Sequence, residues 1–423
     1  MKQHKIIFFF LFASLLLTLP YCKNYYTKVS NNDVSHLYNP SSTILHPQYR
    51  IYHKNDSISL LFFSISSTEL LFNKKISEST YFATIDINYQ LFNSYESGEI
   101  IDSATHRFKF EKPESSSNLI QSFEIKVKNG SILQARIDMK DVIRNKFHSD
   151  FIGISKKSVH SEQNFLPVRN DKTPIFNNFV TSKDSIFLEN TRIKQQKYFV
   201  SFYEIDFNPA LPPFSITPYK STILELDSIW EITNNKPFIF PKYGMYHIQS
   251  DTSVNEGITF FNWGESFPEF TSPSSMLAPL RYLNSNKEFN KYEEFGNKKM
   301  AVDEFWLKAA GNPDRAREII KVFYNRAIYA NMYFSSFTEG WKTDRGMIYI
   351  IFGSPKRIYK TKDSEKWIYG DNPDLLSITF TFTQLENNYS SNDYILIRKE
   401  VYKTSWYQAV DTWRNGRIYS IGY

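Results

Sequence analysis

The side chains that most often carry catalysis are unevenly distributed along this chain. The sequence has eight histidines and one cysteine, and none of them lies beyond residue 247. A Ser or Cys hydrolase needs a His base, and zinc sites are built mainly from His and Cys. The C-terminal third therefore lacks both chemistries. The histidines nearer the N-terminus show no ligand spacing, so we predict no metal and no cofactor.

Carboxylates remain as candidates, because glycoside hydrolysis uses a pair of them on either side of one bond. Acidic residues that are adjacent on predicted helices point apart and do not qualify. Asp344 together with Asp371 or Asp374 is the pair that could converge in the fold. We therefore consider a carboxylate-dependent enzyme that acts on envelope glycans as the alternative to a structural or protein-binding role.

The N-terminus predicts export and a lipid anchor. Lys2 and Lys5 precede an apolar run at residues 6–19, which is shorter than the ~20 residues that a membrane-spanning helix needs. Cys22 follows this run at the place where a lipoprotein-type signal puts the lipidated residue. We predict a signal peptide at residues 1–22, lipidation of Cys22, and attachment to the periplasmic face of the outer membrane in the cell envelope.

The most specific string is Gly-Trp-Lys-Thr-Asp-Arg-Gly from Gly340 to Gly346, followed by an apolar run and then by Gly353-Ser354-Pro355. It resembles closely the signature of the GWxTD domain, a family found largely in Bacteroidota and often at the C-terminus of envelope proteins. The resemblance extends over roughly residues 280–423. It implies location and architecture better than it implies activity.

The residue types in this motif predict a corner between a helix and a strand. Its two glycines permit backbone conformations that a side chain would forbid, and Trp341 is expected to pack between helices and sheet. Thr343 and Asp344 can accept hydrogen bonds from turn amides, and Arg345 can either pair with Asp344 or donate to backbone carbonyls. The alternative is that Thr343, Asp344 and Arg345 form a small polar pocket for a ligand or partner.

Short β segments separated by turn residues predict a mainly β protein with an α+β C-terminal domain. We expect a loosely ordered tether at residues 23–47, then two β-sandwich-like (Ig-like) domains at residues 48–160 and 165–271. A GWxTD-like α+β domain is expected at residues 275–423. The Asn-Gly pair at residues 129–130 predicts a hairpin turn in the first sandwich.

Helical spacing of apolar residues predicts helices at residues 285–310 and 312–334, with Gly311 ending the first and Asn312 capping the second. After the motif, the apolar run at residues 347–352 predicts a return to strands, which continue towards the C-terminus.

The net charge of +6 is mild for 423 residues, and it gives no support to nucleic-acid binding. The basic residues around Lys360 are expected to protect a solvated edge strand. We therefore expect a structural or protein-binding role, with a protein partner in the envelope, in secretion or surface assembly. The membrane is expected to contact the chain only through the N-terminal lipid.

Overall fold

Over the part of the chain that it describes, the computed structural model contains two β-sandwiches followed by an α+β unit, so the predicted fold class is confirmed. The described residues are 28–74, 79–193, 197–216, 224–234, 236–370 and 377–421. The predicted signal peptide and Cys22 lie outside them. Within these ranges, none of the helices combines the length and hydrophobicity needed to cross a bilayer.

The first sandwich packs a three-stranded sheet, in the order β1-β2-β5, against a four-stranded sheet, in the order β4-β3-β6-β7. Apolar residues from both sheets form one core, as the alternation of buried and half-buried residues along the strands requires. The strands are β1 (Gln48–His53), β2 (Ile58–Ser66), β3 (Phe82–Phe92), β4 (Asp102–Glu111), β5 (Asn118–Lys126), β6 (Ile132–Asp141) and β7 (Lys146–Ser155).

The hairpin predicted at residues 129–130 is wrong, although a turn is present. β5 and β6 belong to different sheets, so the turn carries the chain from one sheet to the other. Gly130 has a φ of 81°, whereas Asn129 keeps a negative φ. A type I′ hairpin turn needs positive φ at both positions, and this turn therefore differs in kind from the predicted one.

The second sandwich has a three-stranded sheet, in the order β13-β10-β8, and a five-stranded sheet, in the order β12-β11-β14-β15-β9. The two sheets share an apolar core. The strands are β8 (Leu166–Val168), β9 (Phe179–Val180), β10 (Ser185–Glu189), β11 (Lys197–Tyr203), β12 (Ser228–Thr233), β13 (Phe238–Ile239), β14 (Gly244–Gln249) and β15 (Ile258–Asn262).

The C-terminal unit packs helices against a four-stranded antiparallel sheet in the order β16-β17-β18-β19. Its strands are β16 (Arg357–Lys360), β17 (Ser364–Tyr369), β18 (Ile378–Gln384) and β19 (Tyr394–Leu396). Its helices are α1 (Pro273–Leu277), α2 (Asn286–Glu293), α3 (Lys298–Ala310), α4 (Pro313–Phe334), α5 (Asp344–Phe352) and α6 (Tyr402–Arg414).

The predicted helix boundaries around Gly311 are confirmed. Gly311 ends α3 with a φ of 75°, and the Asn312 side chain accepts a hydrogen bond from the Arg315 amide at the start of α4. The single helix predicted at residues 285–310 is divided, because α2 ends at Glu293 and Asn297 caps a new helix.

The prediction of a strand at residues 347–352 is wrong, because this run lies in helix α5. Every residue of α5 is buried, so the run shows no polar face that would reveal a helical period. Its Ile and aromatic residues are typical of strands, but the packing around this segment decides its conformation.

The prediction of a loosely ordered tether also differs from the structure over residues 28–47, which we call the N-terminal arm. The arm contains two short 3₁₀ helices, Val29–Asn31 and Ser35–Tyr38. It contacts the first sandwich through His36 and the C-terminal unit through Tyr38. Val34 is buried in the core of the C-terminal unit, and Leu45 is buried in the core of the first sandwich. Two apolar anchors therefore hold a segment whose sequence is mainly polar.

Candidate functional site

The Gly-Trp-Lys-Thr-Asp-Arg-Gly motif connects two helices instead of a helix and a strand. After α4 the chain makes a 3₁₀ turn at Gly340–Lys342 and enters α5 directly. Thr343 is the N-cap of α5: its hydroxyl accepts from the Gly346 amide at 3.0 Å and donates to the Gly340 carbonyl at 2.8 Å. This hydrogen bonding fixes the angle at which α5 leaves the turn.

The two glycines of the motif are required by close packing, not by their backbone angles, because neither has a positive φ. A Cβ added to Gly340 would lie 1.9 Å from the Ala330 carbonyl oxygen in α4. A Cβ added to Gly346 would lie 1.8 Å from the carbonyl oxygen of Gly340. Any side chain at either position would force these backbone segments apart.

Trp341 is buried among helical and turn residues, and not between helices and sheet as predicted. Its indole ring packs edge-on against Phe270 and Tyr282. Its backbone N–H donates to the Asn331 side chain at 3.0 Å, and its carbonyl accepts from the Tyr282 hydroxyl at 2.9 Å. The residue therefore joins the motif to α4 and to the segment that precedes α2.

Asp344 is buried and pairs with Arg398, so of the two alternatives for Arg345 the pairing with Asp344 is wrong, whereas donation to a backbone carbonyl is confirmed at Asn392. The two Arg398 Nη atoms donate to the two carboxylate oxygens at 2.5 and 3.0 Å, and the Leu396 amide adds a bond of 2.8 Å. This bidentate arrangement uses both oxygens. Asp371 and Asp374, the predicted second carboxylates, lie outside the described residues.

Arg345 is fully buried on the other side of α5, with 1% of its side chain exposed. Its guanidinium contacts Glu365 at 3.3 Å and donates to the Asn392 carbonyl at 2.8 Å. The same guanidinium lies over the rings of Tyr394 and Phe334, at 4.1 and 5.0 Å. Arg345 therefore connects α5 to the sheet through charge, hydrogen bonds and aromatic contacts.

Arg345, Lys360 and Glu365 form a buried charge cluster, with Glu365 at its centre. The Glu365 side chain is completely inaccessible to solvent. It contacts Lys360 at 3.1 Å and Arg345 at 3.3 Å, and it accepts from the Trp367 indole at 3.1 Å. Burial alone would raise the pKa of Glu365, but Lys360 and Arg345 lower it to about 2. The carboxylate is therefore held in its charged form.

The prediction that Lys360 protects a solvated edge strand is wrong. Burial would lower the pKa of Lys360, but Tyr38 and Glu365 raise it well above its usual value. The outer edge of β16 is also covered, because the Val34 amide donates to the Ile358 carbonyl and the Ile358 amide donates to Asp33, both at 2.9 Å. The N-terminal arm thus satisfies the backbone groups of this edge.

Tyr38 of the N-terminal arm enters a pocket in the C-terminal unit, which we call the Tyr38 pocket. The phenol donates to Glu365 at 2.8 Å, and the Tyr38 carbonyl accepts from the Tyr349 hydroxyl at 2.9 Å and from the Ser354 hydroxyl at 3.2 Å. The ring packs at centroid distances of 4.9 to 5.7 Å against three aromatic residues, Tyr333, Phe334 and Trp367.

Gly353 and Pro355 form the turn that ends α5. Gly353 has a φ of 83°, and an added Cβ would lie 2.7 Å from the Arg326 guanidinium. The Gly353 carbonyl accepts from the Tyr369 hydroxyl at 2.8 Å, and Pro355 is buried. The turn thus brings the chain from α5 to the covered edge strand β16.

Taken together, Asp344 and Arg345 of the motif are bonded to distant parts of the protein, while Thr343 bonds within the motif and Lys342 pairs with the neighbouring Glu339. The partners that the sequence did not reveal are Glu365, Asn392, Arg398 and Tyr38, which lie between 20 and 327 positions from their bonding residues. The described residues contain no group of His, Cys, Asp and Glu that could hold a metal ion. This arrangement positions helices, sheet and arm relative to each other.

Comparison with known proteins identifies the domain that contains this site. Residues 244–415, about two fifths of the chain, match the family model of the GWxTD domain. The match begins at β14 and so includes the last two strands of the second sandwich, whereas the sequence predicted a start at residue 275. No curated protein matches the chain.

Two solved structures each overlap with about a third of this chain. A glycosyl hydrolase family 2 member from Bacteroides cellulosilyticus is 7% identical, covers 36% of this chain and 18% of its own, and has a TM-score of 0.19. A β-glucuronidase from Bacteroides uniformis is 5% identical in sequence, with a TM-score of 0.17, and the overlap covers 36% of this chain and 15% of the β-glucuronidase. The chain spans less than a fifth of the length of either enzyme, and similarity at this level does not bear on its function.

Proposed function

The chain is a GWxTD domain-containing protein, and we propose that it is an exported, lipid-anchored envelope protein that binds a protein partner, in secretion or surface assembly. The apolar leader and the position of Cys22 support the export and the anchor. Attachment to the periplasmic face of the outer membrane is part of the same proposal.

The observation that carries the partner-binding role is an exposed apolar surface where the second sandwich meets the C-terminal unit. Val401 is 75% exposed, Tyr407 54% and Leu211 48%. Phe214 packs on Tyr407 at 5.4 Å, and the Lys399 amide donates to a carbonyl of the same loop. Clustered exposed apolar side chains of this kind mark protein interaction sites.

The competing hypothesis is a carboxylate-dependent enzyme acting on envelope glycans. Asp393 is a half-buried second carboxylate near the motif. Its pKa is raised to about 6, chiefly by burial and also by the negative Asp344, while Arg345 opposes the increase. Asp344 itself is only 8% exposed and gives both oxygens to Arg398. A catalytic carboxylate must reach the substrate, and the contacts of Asp344 favour a positioning role.

A photo-crosslinking amino acid at position 407, introduced in living cells, tests this proposal. We expect it to capture one defined protein in the membrane fraction, because residue 407 lies in the exposed apolar surface. The matched control is position 147 in the first sandwich, since Phe147 is an exposed aromatic residue, 68% accessible, on a different part of the molecule. We expect no stoichiometric capture from that position.

The anchor is tested in the same cells by palmitate labelling of the Cys22→Ala variant. We expect that substitution to abolish the label, to move the chain out of the membrane fraction and to lower the crosslinking yield at position 407. Equal, diffuse capture from positions 407 and 147 would contradict the partner-binding role. Recovery of the unlabelled wild-type chain from the cytoplasm with its leader intact would contradict the envelope location.

A further inference from the structure

The contact between the N-terminal arm and the C-terminal unit has the form of a peptide bound to a domain. The arm reaches the sheet at its edge and supplies the missing hydrogen bonds of β16 through Asp33 and Val34. It then places one aromatic side chain, Tyr38, in a pocket lined by aromatic residues. Many peptide-binding domains gain affinity from hydrogen bonds between the peptide and the edge of a sheet, and gain specificity from a pocket that accepts one side chain of the peptide.

The Tyr38 pocket selects for a tyrosine by its chemistry. Its walls are aromatic, so they favour a flat ring, while a charged carboxylate at its base accepts a hydrogen bond from the phenol. Arg345 and Lys360 keep Glu365 ionised, which makes this hydrogen bond charge-assisted. A phenylalanine would leave an oxygen of the buried carboxylate with one partner fewer, and a smaller residue would leave the pocket empty.

The part of the arm that contacts this domain has little regular structure of its own. Its two helices are 3₁₀ segments of three and four residues, and such short segments are marginal in isolation. Ser41 and Ser42, just after the Tyr38 contact, are both exposed. The docking of residues 33–38 on this domain therefore depends on a few side chains, two edge hydrogen bonds and the two hydrogen bonds to the Tyr38 carbonyl.

From these contacts we infer that the GWxTD domain is a peptide-binding domain that recognises a short segment with an Asp-apolar pair followed four residues later by a tyrosine. The N-terminal arm is its intramolecular ligand, with Asp33, Val34 and Tyr38 as the recognised residues. A partner protein that carries the same pattern binds by replacing the arm. This inference concerns a second site, the Tyr38 pocket, which is separate from the exposed apolar surface around Tyr407 and does not depend on it.

A fluorescent synthetic peptide of residues 31–41 tests the inference with the full-length purified protein. In the wild-type chain the tethered arm competes at a high effective concentration, so we expect weak binding. The Tyr38→Ala variant loses this competitor, and we expect it to bind the peptide at least tenfold more tightly in fluorescence anisotropy. The same peptide with alanine in place of its tyrosine is expected to lose at least tenfold in affinity.

A second preparation removes the dependence on the Tyr38→Ala variant being folded. A protease site placed at the exposed residues 41 and 42 would cut the wild-type arm free after folding, and the labelled peptide is then expected to exchange into the pocket. If neither the folded variant nor the cleaved protein binds the peptide, the arm is a permanent part of the fold and the inference is overturned. Peptide binding without a crosslinked partner in cells would instead refute only the proposed function.

Discussion

Replacing Glu365 with glutamine is expected to destabilise the C-terminal unit by about 3–5 kcal/mol, the cost typical of removing one member of a buried ion pair. The substitution keeps the shape of the side chain but leaves the buried cation Arg345, together with Lys360, without its counter-charge. The measurement is urea unfolding followed by tryptophan fluorescence, which reports on Trp367 beside the substituted position.

The matched control is Asp303→Asn, which breaks the exposed pair between Asp303 and Lys299 in the same unit. We expect it to cost no more than about 0.5 kcal/mol. Acid should reproduce the effect of Glu365→Gln, because protonation also removes the negative charge of Glu365. The pKa of Glu365 in the folded protein is about 2, below the usual value of 4.5 for a glutamate. The stability from Glu365 is complete above pH 4.5 and is lost as the pH falls towards 2. A loss below about 1 kcal/mol for Glu365→Gln would show that the buried charges are unimportant.

Replacing Gly346 with alanine is expected to destabilise the protein by about 3 kcal/mol, at the upper end of the range for overpacking. Helix propensity alone would predict the opposite, because alanine is favoured over glycine by about 1 kcal/mol within helices. The added Cβ would lie 1.8 Å from the Gly340 carbonyl oxygen, so the turn and α5 have to separate. The measurement is again the unfolding free energy.

Gly296→Ala is the control for this substitution, since a Cβ added at Gly296 would meet no atom within 4 Å and the φ of this residue is not positive. We expect that variant to be neutral or slightly more stable than the wild type. If Gly346→Ala were as stable as Gly296→Ala, close packing would not be the reason for glycine in the motif.

The parts of the fold that the sequence predicted correctly depend on local signals. Gly311 and Asn312 mark the end of one helix and the start of the next through their own backbone and side-chain chemistry. The strands of both sandwiches follow from short apolar runs between turn residues. These interactions span a few positions, so a single sequence contains the information.

The helical conformation of α5 shows where such signals fail. Residues 347–352 combine Ile with aromatic side chains and carry no polar face, and both features favour a strand. Signals for a helix are present at its ends, where Thr343 acts as the N-cap and Gly353 as the terminating residue. The same two residue types are equally typical of turns, so the apolar run between them outweighs them in a prediction from sequence.

The candidate site could not be predicted for a different reason. The motif residues are recognisable in the sequence, but their partners lie in distant elements: Arg345 pairs with Glu365 in β17, and Asp344 with Arg398 after β19. Tyr38 is 327 positions from Glu365 and belongs to a segment whose mainly polar composition predicts a tether. Only the assembled core brings these residues together, and neither periodicity nor spacing encodes that pairing.

The central claim is that the buried charges of the GWxTD domain hold the N-terminal arm, and a double-mutant cycle between Tyr38 and Glu365 tests it most directly. The unfolding free energies of Tyr38→Phe, Glu365→Gln and the double variant give the coupling between the two side chains. The account predicts a favourable coupling of about 1.5–3 kcal/mol, as expected for a hydrogen bond to a charged group. A coupling near zero would contradict it, because the arm would then be held independently of the buried charge at Glu365.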